Sequence, residues 1–252
     1  MAAKKVLAFE QLPRIGEGDF RAFEPHKWRD PEYNAERLLL KRKLAVIGEA
    51  LRAHLKRAGE ELTLRTSIHN PYVFNGNKVD SLWLYLAPSD RAKQPLCDLL
   101  GVEFSADTDA SYVHANLVLA VEFEGVKLGL RVHERAWWDT QNLKSICSSR
   151  DGAERFAGLL NGVEGEYALT LHDWKKEYRC AQIRWDDLLN YFRYFEPGTH
   201  RIHVSRRVPK GDLRLEEEGF YAQVAREFES LLPIYRFILW TPENNHLGMK
   251  KK

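Results

Sequence analysis

Apolar residues recur at Leu40, Leu44, Ile47, Leu51 and Leu55, the spacing of one stripe of an amphipathic helix, which predicts a helix over 31–58. Its ends are marked by residues suited to them. Asp30 can accept from free first-turn N–H groups, Pro31 fits the first helical position, and Gly59 can take the left-handed conformation beyond the last turn. Arg37, Lys41, Arg52 and Lys56 fall away from the stripe, as on a solvated face. Period-two segments follow at Leu62–Ile68 and Val79–Leu86, separated by a turn-rich stretch from His69 to Asn77. Tyr112–Phe123 and Val126–Glu134 form a second strand pair about Glu124-Gly125. Further helices are expected over Asp90–Leu100, Trp137–Cys147, Asp151–Leu160, Trp185–Phe195 and Glu216–Leu232, the last ended or kinked by Pro233. Glu166–Leu171 and His200–Arg206 read as strands. The order of elements predicts an α+β fold with a mostly antiparallel sheet of about five to six strands and helices packed on one face. Nothing divides the chain firmly, so 1–252 reads as a single domain with a weak joint at 161–166.

Alternation sorts each strand into two faces. In Tyr112–Phe123 the odd positions are uniformly apolar, while the other face carries Tyr112, His114, Asn116 and Glu122. In Val126–Glu134, Val126, Leu128, Leu130 and Val132 join the apolar face, leaving Lys127, Arg131 and His133 opposite, with Arg135 just beyond. The first pair adds Leu62, Leu64 and Ile68 on one side, and Arg65, Ser67 and His69 on the other. If all four strands share a sheet, one face gathers Arg65, His69, Trp83, Tyr85, His114, Asn116, Arg131, His133 and Arg135. Guanidinium forks and aromatic rings on one surface suit a phosphate or carboxylate ligand, including a nucleotide or single-stranded nucleic acid. The structural alternative is polar-out alternation, with the face either solvated or packed beneath helices. Protonation of the histidines would strengthen anion binding as pH falls through roughly 6.5.

Composition narrows the choice without naming a partner. Of 252 residues, 44% are hydrophobic and the formal charge is only +2, too balanced for a general nucleic-acid coat. The N-terminus lacks a sustained apolar run, and the best candidate elsewhere, Val113–Ala120, is interrupted at Asn116 and too short to span a bilayer. A cytoplasmic protein with no membrane partner is expected. Cys97, Cys147 and Cys180 lack the spacing of a zinc site or a disulfide framework, and no cofactor-binding motif is present. His200-Arg201-Ile202-His203 would point its imidazoles to opposite faces of a strand, which is poor geometry for a metal. Trp137-Trp138, following His133-Glu134-Arg135, suits a core anchor. The asparagines of 70–80 serve turn chemistry or ligand contacts equally well.

Gly18-Asp19-Phe20-Arg21-Ala22-Phe23-Glu24 before a long helix, a His-bearing strand end followed by Leu82-Trp83-Leu84, and a final helix after an extended segment resemble the bacterial YktB-like family of α+β proteins. That resemblance implies a fold and supplies no mechanism. Three functions are therefore expected in competition. The first is a module binding an anionic ligand through the polar face. The second is an assembly subunit using exposed aromatics as a protein interface. The third is a hydrolase or transferase in which His114 or His133 serves as acid or base while Arg131 and Arg135 hold a phosphorylated or carboxylated substrate.

Overall fold

The computed structural model describes residues 6–100, 113–171 and 177–248. Tyr112 lies outside them. Among the described residues the helices are α1 (Glu17–Arg21), α2 (Asn34–Arg57), α3 (Asp90–Leu100), α4 (Trp137–Cys147), α5 (Arg150–Asn161), α6 (Trp185–Tyr194) and α7 (Phe220–Ile238). The strands are β1 (Leu62–Thr66), β2 (Ser81–Pro88), β3 (Asn116–Glu122), β4 (Gly125–Val132), β5 (Ala168–Leu171), β6 (Tyr178–Arg179) and β7 (Ile202–Pro209). The fold is α+β, and the sheet has seven strands in the order β1-β2-β3-β4-β7-β5-β6, slightly more than the five to six expected. The addition is β6, whose two residues are too few for alternation to register. Antiparallel pairing sets Leu169 against Val204 and Thr170 against His203.

The chain resolves into two compact units whose segments interleave in sequence. One comprises 1–86, 118–128 and 207–229, the other 87–117, 129–206 and 230–252. In the first unit, α2 begins after a short helical turn at Pro31–Tyr33, where the Asp30 carboxylate accepts from the Glu32 N–H at 2.8 Å. Leu40, Leu44, Ile47, Leu51 and Leu55 are buried, and Gly59 takes the left-handed conformation at φ 86°. Helix α2 lies so close to β1 that a Cβ on Gly48 would collide with the Leu64 side chain. Arg37 is a correction to the solvated-face reading. It is fully buried, because its guanidinium holds the chain before the helix, donating to the Asp30 carbonyl at 3.2 Å, to Asn34 Oδ1 at 3.1 Å and to the Lys27 carbonyl. Ile68 also departs from expectation and is exposed, since β1 ends at Thr66 and alternation no longer governs it.

In the second unit, Phe156 of α5 stacks on Phe237 at 5.4 Å and meets Phe192 of α6 edge-on at 6.1 Å. Helix α5 also packs against α4. Gly129 of β4 is required by proximity, since a Cβ there would press on the Val204 carbonyl and the Ser205 backbone of β7. The turn between β3 and β4 is Phe123-Glu124, one residue earlier than expected. This slides the pairing by two positions and leaves each residue on its predicted face. Pro233 does not end the last helix, which continues to Ile238. Proline removes the ladder bond to the Glu229 carbonyl, and the boundary between the two units falls at that same turn, Glu229–Ser230.

Candidate functional site

The nine expected site residues divide between the units. Arg65, His69, Trp83 and Tyr85 belong to the first, and His114, Asn116, Arg131, His133 and Arg135 to the second. In the first unit Arg65 is exposed, His69 and Trp83 are half-buried, and Tyr85 is an interior residue at 3% exposure. The Trp83 backbone is clasped by Ser67, whose N–H donates to the Trp83 carbonyl at 2.9 Å and whose Oγ accepts from the Trp83 N–H at 3.0 Å. Desolvation, aided by the positive charges of Lys41 and Arg37, pushes the His69 pKa below the usual histidine value. The 70–80 asparagines serve the turn: Asn75 accepts from the Tyr72 N–H at 2.7 Å and donates to the Asn70 carbonyl at 3.0 Å, ahead of left-handed Gly76 and Asn77. This hydrogen-bonded loop carries Tyr72, Val73 and Phe74 outward, with Phe74 87% exposed.

In the second unit His114 and Asn116 are interior groups too, at 3% and 0% exposure. The partner of His114 is Asp139, in the first turn of α4, which is fully buried. Its carboxylate accepts from the Ala115 N–H at 2.6 Å and the Trp240 N–H at 2.8 Å, and it lies 3.3 Å from His114 Nδ1 through both oxygens. One acid thus binds the approach to β3, the start of α4 and the segment after α7. Asn142, one turn along α4, extends the clasp by accepting from the His246 N–H at 2.8 Å. His114 is therefore a tie within the core, oriented as in a catalytic dyad but withdrawn from solvent.

In the second unit the accessible part of the predicted set lies where β4 ends. Val126, Leu128, Leu130 and Val132 are buried, so alternation sends Arg131 and His133 to the other face. A tight turn, closed by the Ala136 N–H donating to the His133 carbonyl at 2.9 Å, then leads into α4. Within that turn the Arg135 N–H donates to His133 Nδ1 at 3.1 Å. A ring nitrogen that accepts carries no proton, so the neutral imidazole has its hydrogen on Nε2, which lies 3.7 Å from Glu134 Oε1. Arg201, on the approach to β7, is near enough to act on the same ring. Burial lowers the His133 pKa first and Arg131, Arg135 and Arg201 lower it further, against an opposing pull from Glu134. Arg131 is half-buried, while Arg135 and Arg201 are exposed. Arg131, His133 and Arg201 each make additional contacts, so none is an idle charge. A half-buried ring with an Nε2–H donor in the field of three arginines, two of them exposed, is a setting suited to an oxyanion.

Sequence reading missed two members of these assemblies. Arg201 stood between two histidines in a segment judged only for metal binding. Asp139 read as an ordinary first-turn acid, although Asp139, Thr140 and Asn142, all fully buried, interrupt any clean apolar stripe on α4. The doubtful metal geometry of His200 and His203 resolves differently again: His200 precedes the strand, its Nδ1 accepting from the Glu196 N–H at 3.1 Å, and His203 faces Thr170 across the β7–β5 pair. No group of three His, Cys, Asp or Glu suited to a metal occurs among the described residues. Trp137 is 41% exposed and contacts Trp138 edge-on, so it is less an anchor than expected. A separate open cavity of about 420 Å³ lies between α5 and the start of α6, but both its carboxylates are already paired, Glu154 with Arg150 and Asp186 with Arg184. No described helix is long and apolar enough to cross a membrane. Compared with models of known protein families and with curated proteins, the chain matches neither a family model nor a curated protein.

Proposed function

We propose that this protein is a binding module for a phosphate-bearing anionic ligand, a nucleotide or the backbone of a single strand being the natural candidates, and that the end of β4 is its site. The observation that carries the reading is half-buried His133, which keeps an Nε2–H donor and feels the positive charges of Arg131, Arg135 and Arg201. Guanidinium groups bind oxyanions through parallel N–H donors, and partial burial strengthens each bond relative to water. A cytoplasmic location belongs to the same reading and is supported by three free cysteines.

Isothermal titration with ethyl phosphate and with a nucleoside monophosphate tests it. Arg135→Ala with Arg201→Ala is the variant of choice, because both side chains are exposed and their loss leaves the core intact. Each charge-assisted bond contributes about 1.5–3 kcal/mol, so the double variant should bind at least about a hundredfold more weakly. Raising the salt concentration should weaken the parent as well. Equal binding by parent and variant, or no binding of either probe by the parent, overturns the proposal. A second reading, a protein interface, is favoured by one observation, the exposed Tyr72-Val73-Phe74 tip.

A further inference from the structure

Glu134 is an odd companion for an anion site. It sits between His133 and Arg135 in sequence, and its Oε1 is 3.7 Å from the His133 Nε2, too long for a good hydrogen bond. Its Oε2 is shielded from solvent and has no hydrogen-bond partner among the described residues. A carboxylate oxygen removed from water and left unbonded is costly, and no described residue offers it a donor. An anion alone would make matters worse, since it would meet that carboxylate beside the arginines that attract it.

We infer that the ligand of this site is an anion that carries a hydrogen-bond donor, ammonium or hydroxyl, a few bonds from its charged group, and that the Glu134 carboxylate, 35% exposed and turning about its last bond, accepts from that donor. The inference rests on the anion-binding reading and narrows it. The arginines and the His133 Nε2–H hold the phosphate, while Glu134 selects what is attached to it. A site built this way rejects an analogue that lacks the donor, because the buried acceptor then stays unpaired. It also explains why an acid is tolerated among three arginines: it repels a bare anion and is compensated only by the ligand it suits.

Three probes of similar size separate the outcomes: ethyl phosphate, 2-hydroxyethyl phosphate and O-phosphoethanolamine, each titrated calorimetrically into the parent, Glu134→Ala and Glu134→Gln. The parent should prefer a donor-bearing probe over ethyl phosphate by about tenfold or more, the size of one charge-assisted hydrogen bond. Glu134→Ala should erase that preference by tightening ethyl phosphate and weakening the donor-bearing probe. Glu134→Gln keeps the shape and one acceptor, so it should lose the preference for ammonium more than that for hydroxyl, and it serves if the alanine variant fails to fold. The ranking of the two donor probes in the parent tells ammonium from hydroxyl. If the parent binds all three probes equally, or keeps its preference in both variants, the role of Glu134 is wrong while the anion site stands. If the parent binds none of them, the anion site itself is wrong and this inference falls with it.

Discussion

Removing the Asp139 carboxylate should be among the most damaging single changes to the second unit. Asp139→Ala deletes the acceptor of two backbone donors, Ala115 N–H at 2.6 Å and Trp240 N–H at 2.8 Å, and leaves His114 beside a void. A buried donor without a partner costs about 1–3 kcal/mol, so the two backbone groups alone put the loss at about 2–6 kcal/mol. Whole domains hold only about 5–15 kcal/mol, so the variant should sit near the edge of folding. Asp139→Asn separates shape from chemistry: its single oxygen can serve one donor, and its NH2 must then face another donor. It should lose about 1–3 kcal/mol, less than alanine does. Urea unfolding followed by tryptophan fluorescence and far-UV circular dichroism gives the values. A loss below about 1 kcal/mol for alanine would show that water or a shifted backbone replaces the carboxylate, and the clasp would not be what fixes α4. His114→Phe in the same background completes a cycle; coupling near zero between 114 and 139 would reduce the pair to mere proximity.

Other expectations follow from single positions. Ile47→Ala, at a fully buried site on α2, should cost about 2–5 kcal/mol in the same urea assay. Gly129→Ala, whose Cβ meets the Val204 carbonyl, should cost about 1–3 kcal/mol or more, and a neutral result would refute the requirement for glycine at the β4–β7 contact. His133 has a folded pKa below its unfolded value, so near pH 6 the unfolded chain holds more protons. Thermal stability should therefore fall as pH drops below about 6.5, less steeply in His133→Gln, and a bound phosphate should oppose the fall by favouring the protonated ring. Anion affinity should likewise rise only at a pH below that of an ordinary histidine, and a midpoint at or above about 6.5 contradicts the lowered pKa. Burial pushes the Cys180 thiol up to about 11 and the buried Cys147 thiol up as well, so both should resist alkylation in the native protein while reacting fully in urea.

Local pattern determined what depends on neighbours in sequence. The 3.6-residue stripe placed α2 together with its core residues, because amphipathic burial needs only one apolar partner surface and not a particular one. Period-two alternation assigned β3 and β4 their faces even though the turn was misplaced by one residue, since an even shift preserves parity. It also put Arg131 and His133 together on one side. What alternation could not say is whether that side is open. His114 is held in the interior by Asp139, 25 positions away, which in turn binds Trp240, 101 positions further on, and no local signal carries such distances. Arg37 looked solvated because a charge off the stripe normally is, yet the carbonyls of Lys27 and Asp30 make burial favourable. The effect of the Arg201 charge on His133 is equally tertiary, arising only when β7 takes its place beside β4. Residue type supplied the chemistry that each side chain could perform, and pairing of strands distant in sequence decided which of those groups share a site, because hydrogen-bonded registry is a property of two segments and cannot be read from either alone.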